Sequence, residues 1–471
     1  MPTFCQSLLA APTRREMLRT SANGFGLLAL GSLFAQQGQA AAANPLAPRK
    51  PHFAPKAKRV IFLFMHGGPS QVDTFDPKPM LKKHDGKPFP GNKPRVQFAA
   101  TGNLLQSPWE FKPGGESGIQ VSDLFPHVRE RADDLCVIRS VHADNSAHGG
   151  ALLQLHTGSD TFIRPSMGSW LTYGLGSENQ NLPGFVTICP SYGHGGVQNW
   201  SSAFLPAEFQ GTPIGQSGKR IKESKIADIA GTAPENLQRM QLDLLQQMNK
   251  QHGTHTGPDA ALEGRMSAFE LAFRMQTEAP TVMDLSKETK ETLDLYGIDQ
   301  EPTDDFGRQC LLARRFAEAG VRFVQVSHSY KWDQHGNLKK DHAKNALEVD
   351  KPIAGLLKDL KQRGLLEDTL VWWGGEFGRT PTAQGGDGRD HNPHAFSMWF
   401  AGGGTKAGYV HGATDDFGYY AVENKVHMHD LHATILALMG LEHEKLTFRH
   451  AGRDFRLTDV KGEVVKEVFD S

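Results

Sequence analysis

Cysteine is scarce in this chain: the 4 present in 471 residues are scattered, and no two form a C-x-x-C pair. A chain this long buries a core without cross-links, so small disulfide-stapled scaffolds are excluded. An excess of one charge is also missing, since 51 Lys and Arg stand against 52 Asp and Glu, a formal net charge of −1. The basic footprint that nucleic acid or an anionic membrane selects is therefore absent. The apolar run Gly24 to Phe34 falls well short of the roughly 20 residues of a permanent membrane span. No fixed-period repeat and no heptad run occurs. What is present is a loop-rich composition, with 50 Gly and 27 Pro, and 21 histidines, several of them beside Asp, Glu and Gly. Histidine in that company points to metal or acid/base chemistry.

At the N-terminus, Thr13-Arg14-Arg15-Glu16-Met17-Leu18 places two arginines ahead of the short apolar run, and Ala40 to Ala43 offers small-residue cleavage sites. This is the layout of a twin-arginine export signal, assigned to residues 1–43 and followed by a linker over 44–55. The alternative, an amphipathic helix, is interrupted by Gly24, Gly26 and Gly31 and has no polar stripe. The expected location is the periplasm or the exterior, with no stable membrane insertion after the signal is removed. Cys5 leaves with the signal, and Cys136, Cys189 and Cys310 read as buried thiols.

From residue 56 onward, apolar runs alternate with polar, Gly-rich loops and helical patterns. The β-prone runs are Arg59 to Met65, Leu135 to Ile138, Val321 to Val326, Leu370 to Trp373 and Phe396 to Phe400. Helical patterns cover Cys310 to Ala319 and Ile353 to Arg363, each closed by a glycine. Continuous apolar strands between helices predict an α/β fold with a mostly parallel central sheet and helices on both faces. In such sheets ligands bind beyond the carboxyl ends of the strands. Residues from about 207 to 303 are Lys- and Gln-rich, with helical stretches at Pro234 to Lys250 and Ala260 to Met275 and no convincing strand, which predicts a helical insertion.

The chemistry collects after the strands. Asp333 and His335 lie two apart and share one face of an extended segment, which suits a pair of metal ligands as well as a solvated loop. In Gly374-Gly375-Glu376-Phe377-Gly378-Arg379, Glu376 suits a ligand, and Arg379 suits either a bound oxyanion or a structural ion pair. Asp390-His391-Asn392-Pro393-His394 then supplies two further imidazoles. His66 and Asp73 flank a Gly-Gly-Pro turn after the first strand. Asn145-Ser146-Ala147-His148 sits between a strand and a helix: Ser146 is a cap or a nucleophile, and His148 binds metal or protonates a leaving group.

The order of Ser146-Ala-His148, Asp333-x-His335, Gly375-Glu376-Phe-Gly-Arg-Thr-Pro381 and Asp390-His391 resembles the alkaline phosphatase and sulfatase superfamily. The tail, His429-Asp430-Leu431-His-Ala-Thr434-Ile-Leu-Ala-Leu-Met-Gly440, is similar to the sulfatase D-x-x-x-T-x-L-x-x-x-G helix. Within that superfamily the mature chain most resembles a sulfatase-like family of twin-arginine-exported bacterial proteins known as a domain of unknown function. Met65 to Pro77, Pro165 to Trp170, Leu182 to Phe185 and Gly452 to Asp459 carry that likeness. The resemblance implies an alkaline-phosphatase-like three-layer sandwich and hydrolysis of phosphate or sulfate esters. It also implies one or two divalent ions of zinc, manganese or calcium, held by Asp73, Asp333, His335, Glu376 and His391 or His394. The substrate would be a small-molecule or polysaccharide ester. Phe377 stands where the superfamily has a histidine, and no cysteine lies in C-x-P-x-R, which disfavours a formylglycine sulfatase. A non-catalytic binding protein of the same fold is the alternative, and phosphomutase or phosphodiesterase activity shares the same site.

Overall fold

The apolar runs form strands because their side chains are buried on both faces, as in Arg59–Met65 (β1), where all seven residues are buried. A computed structural model of the chain describes residues 45–470 apart from 95–99, 225, 227, 228, 230, 232 and 258. The export signal expected over residues 1–43 lies outside the described residues. After β1 come β2 (Leu135–His142), β3 (Phe185–Ile188), β4 (Thr212–Ile214), β5 (Phe323–His328) and β6 (Thr369–Gly374). They are followed by β7 (Gly378–Gln384), β8 (Gly388–Asn392), β9 (Phe396–Ala401), β10 (Tyr409–His411) and β11 (Val426–His427). The helices used below are α1 (His148–Thr157), α2 (Met167–Leu175), α3 (Glu235–Thr256) and α4 (Ala260–Met283). The series continues with α5 (Asp304–Glu318), α6 (Leu338–Gln362) and α7 (Met428–Leu438).

The main sheet has nine strands in the order β10-β2-β9-β6-β1-β5-β3-β4, with β11 also paired to β2. Only β9 runs against its neighbours, β2 and β6; every other pairing in the sheet is parallel. Trp372 and Trp373, adjacent on β6, point to opposite faces. Phe62 stacks on Trp372 with centroids 3.7 Å apart and meets His156 of α1 at 6.1 Å. On the same face α7 joins α1, His432 donating to the Leu155 carbonyl (2.8 Å). Phe75 and Phe125 pack on Trp373 across the sheet (5.0 and 6.0 Å). There α6 supplies Asp350, which accepts the His127 and Val128 amides, and the Ala317 carbonyl of α5 accepts from Arg59. The result is the expected three-layer α/β fold with a mostly parallel sheet.

Three expectations need correction. The segment from 207 to 303 is not purely helical, because Thr212–Ile214 adds edge strand β4 beside β3. Three residues are too short a run to show periodicity. The Gly-rich segment after β6 is a β-hairpin, β7 paired with β8, and not a loop. Helix α6 begins at Leu338, well before Ile353, and carries Pro352 in its interior. Proline there forgoes one helical N–H, which the buried face of the helix outweighs.

The described chain forms two compact units, one comprising residues 230–270 and the other residues 45–229 with 271–470. In the smaller unit, Arg239 of α3 grips both carboxylate oxygens of Glu270 (2.6 and 2.9 Å). Among the described residues, no helix is long and apolar enough to cross a membrane.

Candidate metal centre

Parallel strands bring their carboxyl ends to one edge, so loops far apart in sequence meet there. The central strands β2, β6, β1 and β5 release His148, Glu376, His66 and Asp333 onto this edge, and the β7–β8 hairpin adds His391. The His66 carbonyl accepts the amides of Lys331 and Trp332 (3.1 and 3.2 Å), tying β1 to the loop that carries Asp333. Gly67, at φ +116°, makes this approach possible, since a Cβ there would lie 2.8 Å from the amide nitrogens of Trp332 and Asp333. Its N–H donates to both Glu376 oxygens (3.0 and 3.2 Å).

Asp333 is the hub. Its Oδ1 is 2.9 Å from His335 Nε2, 3.1 Å from His391 Nε2 and 2.7 Å from Arg379 Nη2. The two Nε2 atoms are themselves 3.0 Å apart. The opposite nitrogen of each ring has its own acceptor: His391 Nδ1 faces the Ser146 carbonyl at 2.6 Å, and His335 Nδ1 faces Gln384 Oε1. Those acceptors hold one ring proton on Nδ1, and Asp333 favours a second proton on His335 Nε2, raising the pKa of that ring above the ordinary imidazole value. Two Nε2 atoms meeting at one carboxylate, with their far nitrogens anchored, are the arrangement in which a bound cation would take the place of that proton. Two groups of donors meet this way, His148 with Asp333 and His391, and His335 with Asp390 and His391. The set is carboxylate and imidazole without sulfur, which fits a divalent ion of the zinc or manganese kind.

His148 joins two carboxylates. Its Nδ1 is 2.7 Å from Glu376 Oε1, and its Nε2 is 3.4 Å from Asp333 Oδ2, a charge contact without hydrogen-bond geometry. Burial alone would lower its pKa, but the two carboxylates overcome it and hold the imidazole up at about 9. Burial likewise opposes charge on Glu376, yet His148 and His66 bring its carboxyl down to about 2. The same contest holds the Asp333 carboxyl far below its ordinary range, through His148, His335, His391 and Arg379. For His391 burial wins, and the ring is pressed below its ordinary value. Without a cation, then, the edge carries paired carboxylates neutralised by imidazolium and guanidinium.

The structure gives four expected site residues other positions. Arg379 is fully buried and donates to the carbonyls of Gly68 (2.9 Å), Gly67, Trp332 (3.2 Å) and Arg389 (3.3 Å) as well as to Asp333. It therefore fastens the loops together, and the anion clamp expected of it is corrected to a positioning role. Asp73 is held by Arg389 (2.7 and 3.2 Å) and Ser70 (2.5 Å) in a fully buried pair and belongs to neither donor group. His394 packs on Tyr420 (5.4 Å). Ser146 contributes its carbonyl, as the acceptor for His391.

Sequence reasoning passed over His194, Tyr330 and the role of His66. His66 is 2% exposed and neither ring nitrogen has a hydrogen-bond partner, while Tyr330 (4.9 Å), His194 (6.2 Å) and His148 (6.4 Å) surround it. Burial presses its pKa down to about 4 against the pull of Glu376. The place of His66 immediately after an apolar strand was the available signal. Tyr330 donates to Asp333 Oδ2 (3.2 Å), and nothing in its sequence context marks that contact.

A family model described as "Protein of unknown function (DUF1501)" matches residues 57–469. The chain belongs to the DUF1501 family. No curated protein matches this DUF1501 member. Among solved structures, it is similar to a PsFucS1 sulfatase from Pseudoalteromonas sp., at 14% identity over 90% of this chain and 72% of that one, with a TM-score of 0.34. An alkaline phosphatase from the Antarctic bacterium TAB5 matches at 9% identity over 82% and 98% of the two chains, with a TM-score of 0.32. Ps i-CgsB in complex with k-i-k-neocarrahexaose matches at 12% identity over 83% and 72%, with a TM-score of 0.39. Likenesses this distant leave the chemistry of the DUF1501 member to its own residues.

Proposed function

We propose that this protein is an exported, metal-dependent hydrolase of phosphate or sulfate esters with an alkaline-phosphatase-like fold. The single observation that carries the reading is the convergence of the His335 and His391 Nε2 atoms on Asp333, each ring anchored through its far nitrogen. Asp333, His335 and His391 would hold the cation, with Asp390 beside His335 (3.9 Å). When bound, a zinc or manganese ion supplies a Lewis acid for the ester oxygens. An imidazole-rich set suits these ions better than calcium, which prefers oxygen.

The remaining work falls to the chain. Glu376 takes the Nδ1 proton of His148 as a hydrogen bond and so fixes its tautomer, leaving Nε2 to carry a proton to a leaving group. His66 and Tyr330 line the same space and orient the substrate, and Arg379 holds the loops at their spacing. Ser146 acts through its carbonyl. The small-molecule or polysaccharide nature of the ester is part of the proposal, as is export by the twin-arginine route.

Metal content of the purified protein, followed by aryl-phosphate and aryl-sulfate assays with added zinc or manganese, tests the reading. Turnover that His148→Gln lowers mainly in kcat supports it. Cation binding without turnover of either ester class favours the non-catalytic binding protein. Replacing Arg14 and Arg15 by Lys should retain the protein in the cytoplasm, and undiminished export would refute the route.

A further inference from the structure

A cavity of about 790 Å³ opens to one side of the metal centre, walled by Phe89 to Asn92, His142, His394 and residues between Asp415 and Lys425. His142 is the last residue of β2, and His394 leads into β9, which runs against β2, so both stand at the carboxyl edge of the sheet. Strand β2 lies two strand spacings, about 10 Å, from β6. His394 follows His391 by three residues, which bounds their separation along the chain at roughly 11 Å. Cavity and metal centre are therefore near enough to hold two parts of one molecule.

The walls are fixed to one another. Ala413–Thr414 and Ala421–Glu423 pair as a hairpin. In its turn Asp415 accepts the amides of Phe417, Tyr419 and Tyr420 (2.9, 3.0 and 2.9 Å). The Tyr420 hydroxyl donates to the Asn92 carbonyl (2.9 Å) and the Ala421 amide to the His394 carbonyl (3.1 Å), which ties the hairpin to both opposing walls. Phe89 meets the edge of Phe417 at 5.6 Å, and Tyr420 leans on His394 at 5.4 Å. A preformed hollow of this size, with aromatic rings and a few polar groups, has the make-up of a ligand site.

Its lining selects the occupant. Asp415 is spent on its own turn, but the side chains of Asn92, His142, His394, Asp416 and Lys425 make no hydrogen bond or ion pair among the described residues. Burial presses the pKa of His142 and His394 below the ordinary value, so each ring is neutral and offers one donor and one acceptor. Asp416 and Lys425 balance in charge, so an anionic group finds no cluster of cations here. An acyl chain would leave the polar groups unmatched. Hydroxyls, each donor and acceptor at once, suit the polar groups, and the carbon face of a sugar ring suits Phe89, Phe417 and Tyr420.

We propose that this cavity seats an uncharged sugar ring of a saccharide ester whose phosphate or sulfate group lies at the metal centre. The position of the charged group rests on the hydrolase reading; the sugar seat itself requires no turnover. His394, which the edge centre leaves out, is thereby assigned to substrate recognition.

The test exposes the full chain, in EDTA to empty the edge of cations, to an array of oligosaccharides in uncharged, sulfated and phosphorylated forms, and reads affinity for captured members by calorimetry. Uncharged members should be captured in EDTA, and His394→Ala and Asp416→Ala should each weaken that binding roughly tenfold. Asp416 is exposed, so its variant decides alone if His394→Ala does not fold. Capture of no uncharged member overturns the proposal, and so does affinity equal to wild type in both variants. Capture of sulfated or phosphorylated members alone, lost in EDTA, overturns the seat and leaves the hydrolase reading in place. Capture of uncharged members by a protein that turns over neither ester class upholds the seat and removes the hydrolase reading.

Discussion

His148 at the carboxyl edge of the sheet and three histidines within the layers beneath it carry one kind of side chain into opposite electrostatic states. At the edge, His148 lies between Glu376 and Asp333 and is held at about 9. Beneath, burial pushes His156 to about 4 and His342 and His432 to about 3. In those three, one nitrogen meets backbone: His156 and His432 donate to the Leu152 and Leu155 carbonyls (2.8 Å each), and His342 Nε2 accepts the Ser70 amide (3.2 Å). Burial is common to both sets. What separates them is whether a carboxylate shares the space, and only the first set can gather around a cation.

The strongest way to break this contrast is to remove the hub. Asp333→Ala removes the oxygen that His335 and His391 share and should weaken cation binding beyond the roughly 10–100-fold that an outer partner costs. Calorimetric titration with zinc reads this, and near-normal affinity would deny Asp333 its place.

Asp73 tests the contrast from the other side, since it lies among the loops but behaves as part of the core. Asp73→Ala leaves the Arg389 guanidinium buried and unpaired, so urea unfolding should show a loss of about 3–5 kcal/mol. The cation content should not change. If it fell while stability held, Asp73 would be a ligand after all.

The pH dependence of the cation-free protein should show both sets at once. For His156, His342 and His432 the folded value lies below the unfolded 6.5, so the unfolded chain binds more protons and stability falls as pH drops from about 6.5 toward 3. For His148 the folded value is raised, so its contribution is full below 6.5 and is lost as pH rises through about 9. Glu376 adds stability present above 4.5 and lost as pH falls through about 2. Urea unfolding across pH should therefore trace a dome of stability, and His148→Gln should flatten the alkaline side most and, by releasing Glu376, part of the acid side.

The smallest expected effect is at Gly67. Gly67→Ala strains a positive-φ position against the Asp333 loop, costing about 1–3 kcal/mol. It should loosen zinc binding at the edge and leave the titration of His432 alone, which imidazole NMR can follow.

The runs at β1, β2, β5, β6 and β9 were legible because burial on both faces keeps them mostly apolar, with few exceptions such as Arg139 and Gln325. The loops that follow were legible as sites for the same reason, since a parallel sheet sends each of them to one edge. Asp333, His335, Glu376, His148 and His391 could be named on that ground alone.

Which of those residues would touch was not written locally. Asp73 and Arg389 lie more than 300 positions apart, and so do Arg379 and Gly68, so neither pair leaves a trace in spacing. The hairpin β7–β8 turns a Gly-rich stretch into two paired strands, sending His391 to Asp333 and leaving His394 against Tyr420. The sequence by itself determined the α/β layers and the edge at which chemistry collects, because hydrophobic periodicity and strand direction are local properties. Tertiary structure alone decided which imidazoles meet a carboxylate and which meet a carbonyl, because that choice is made by partners brought together only when the sheet closes its order.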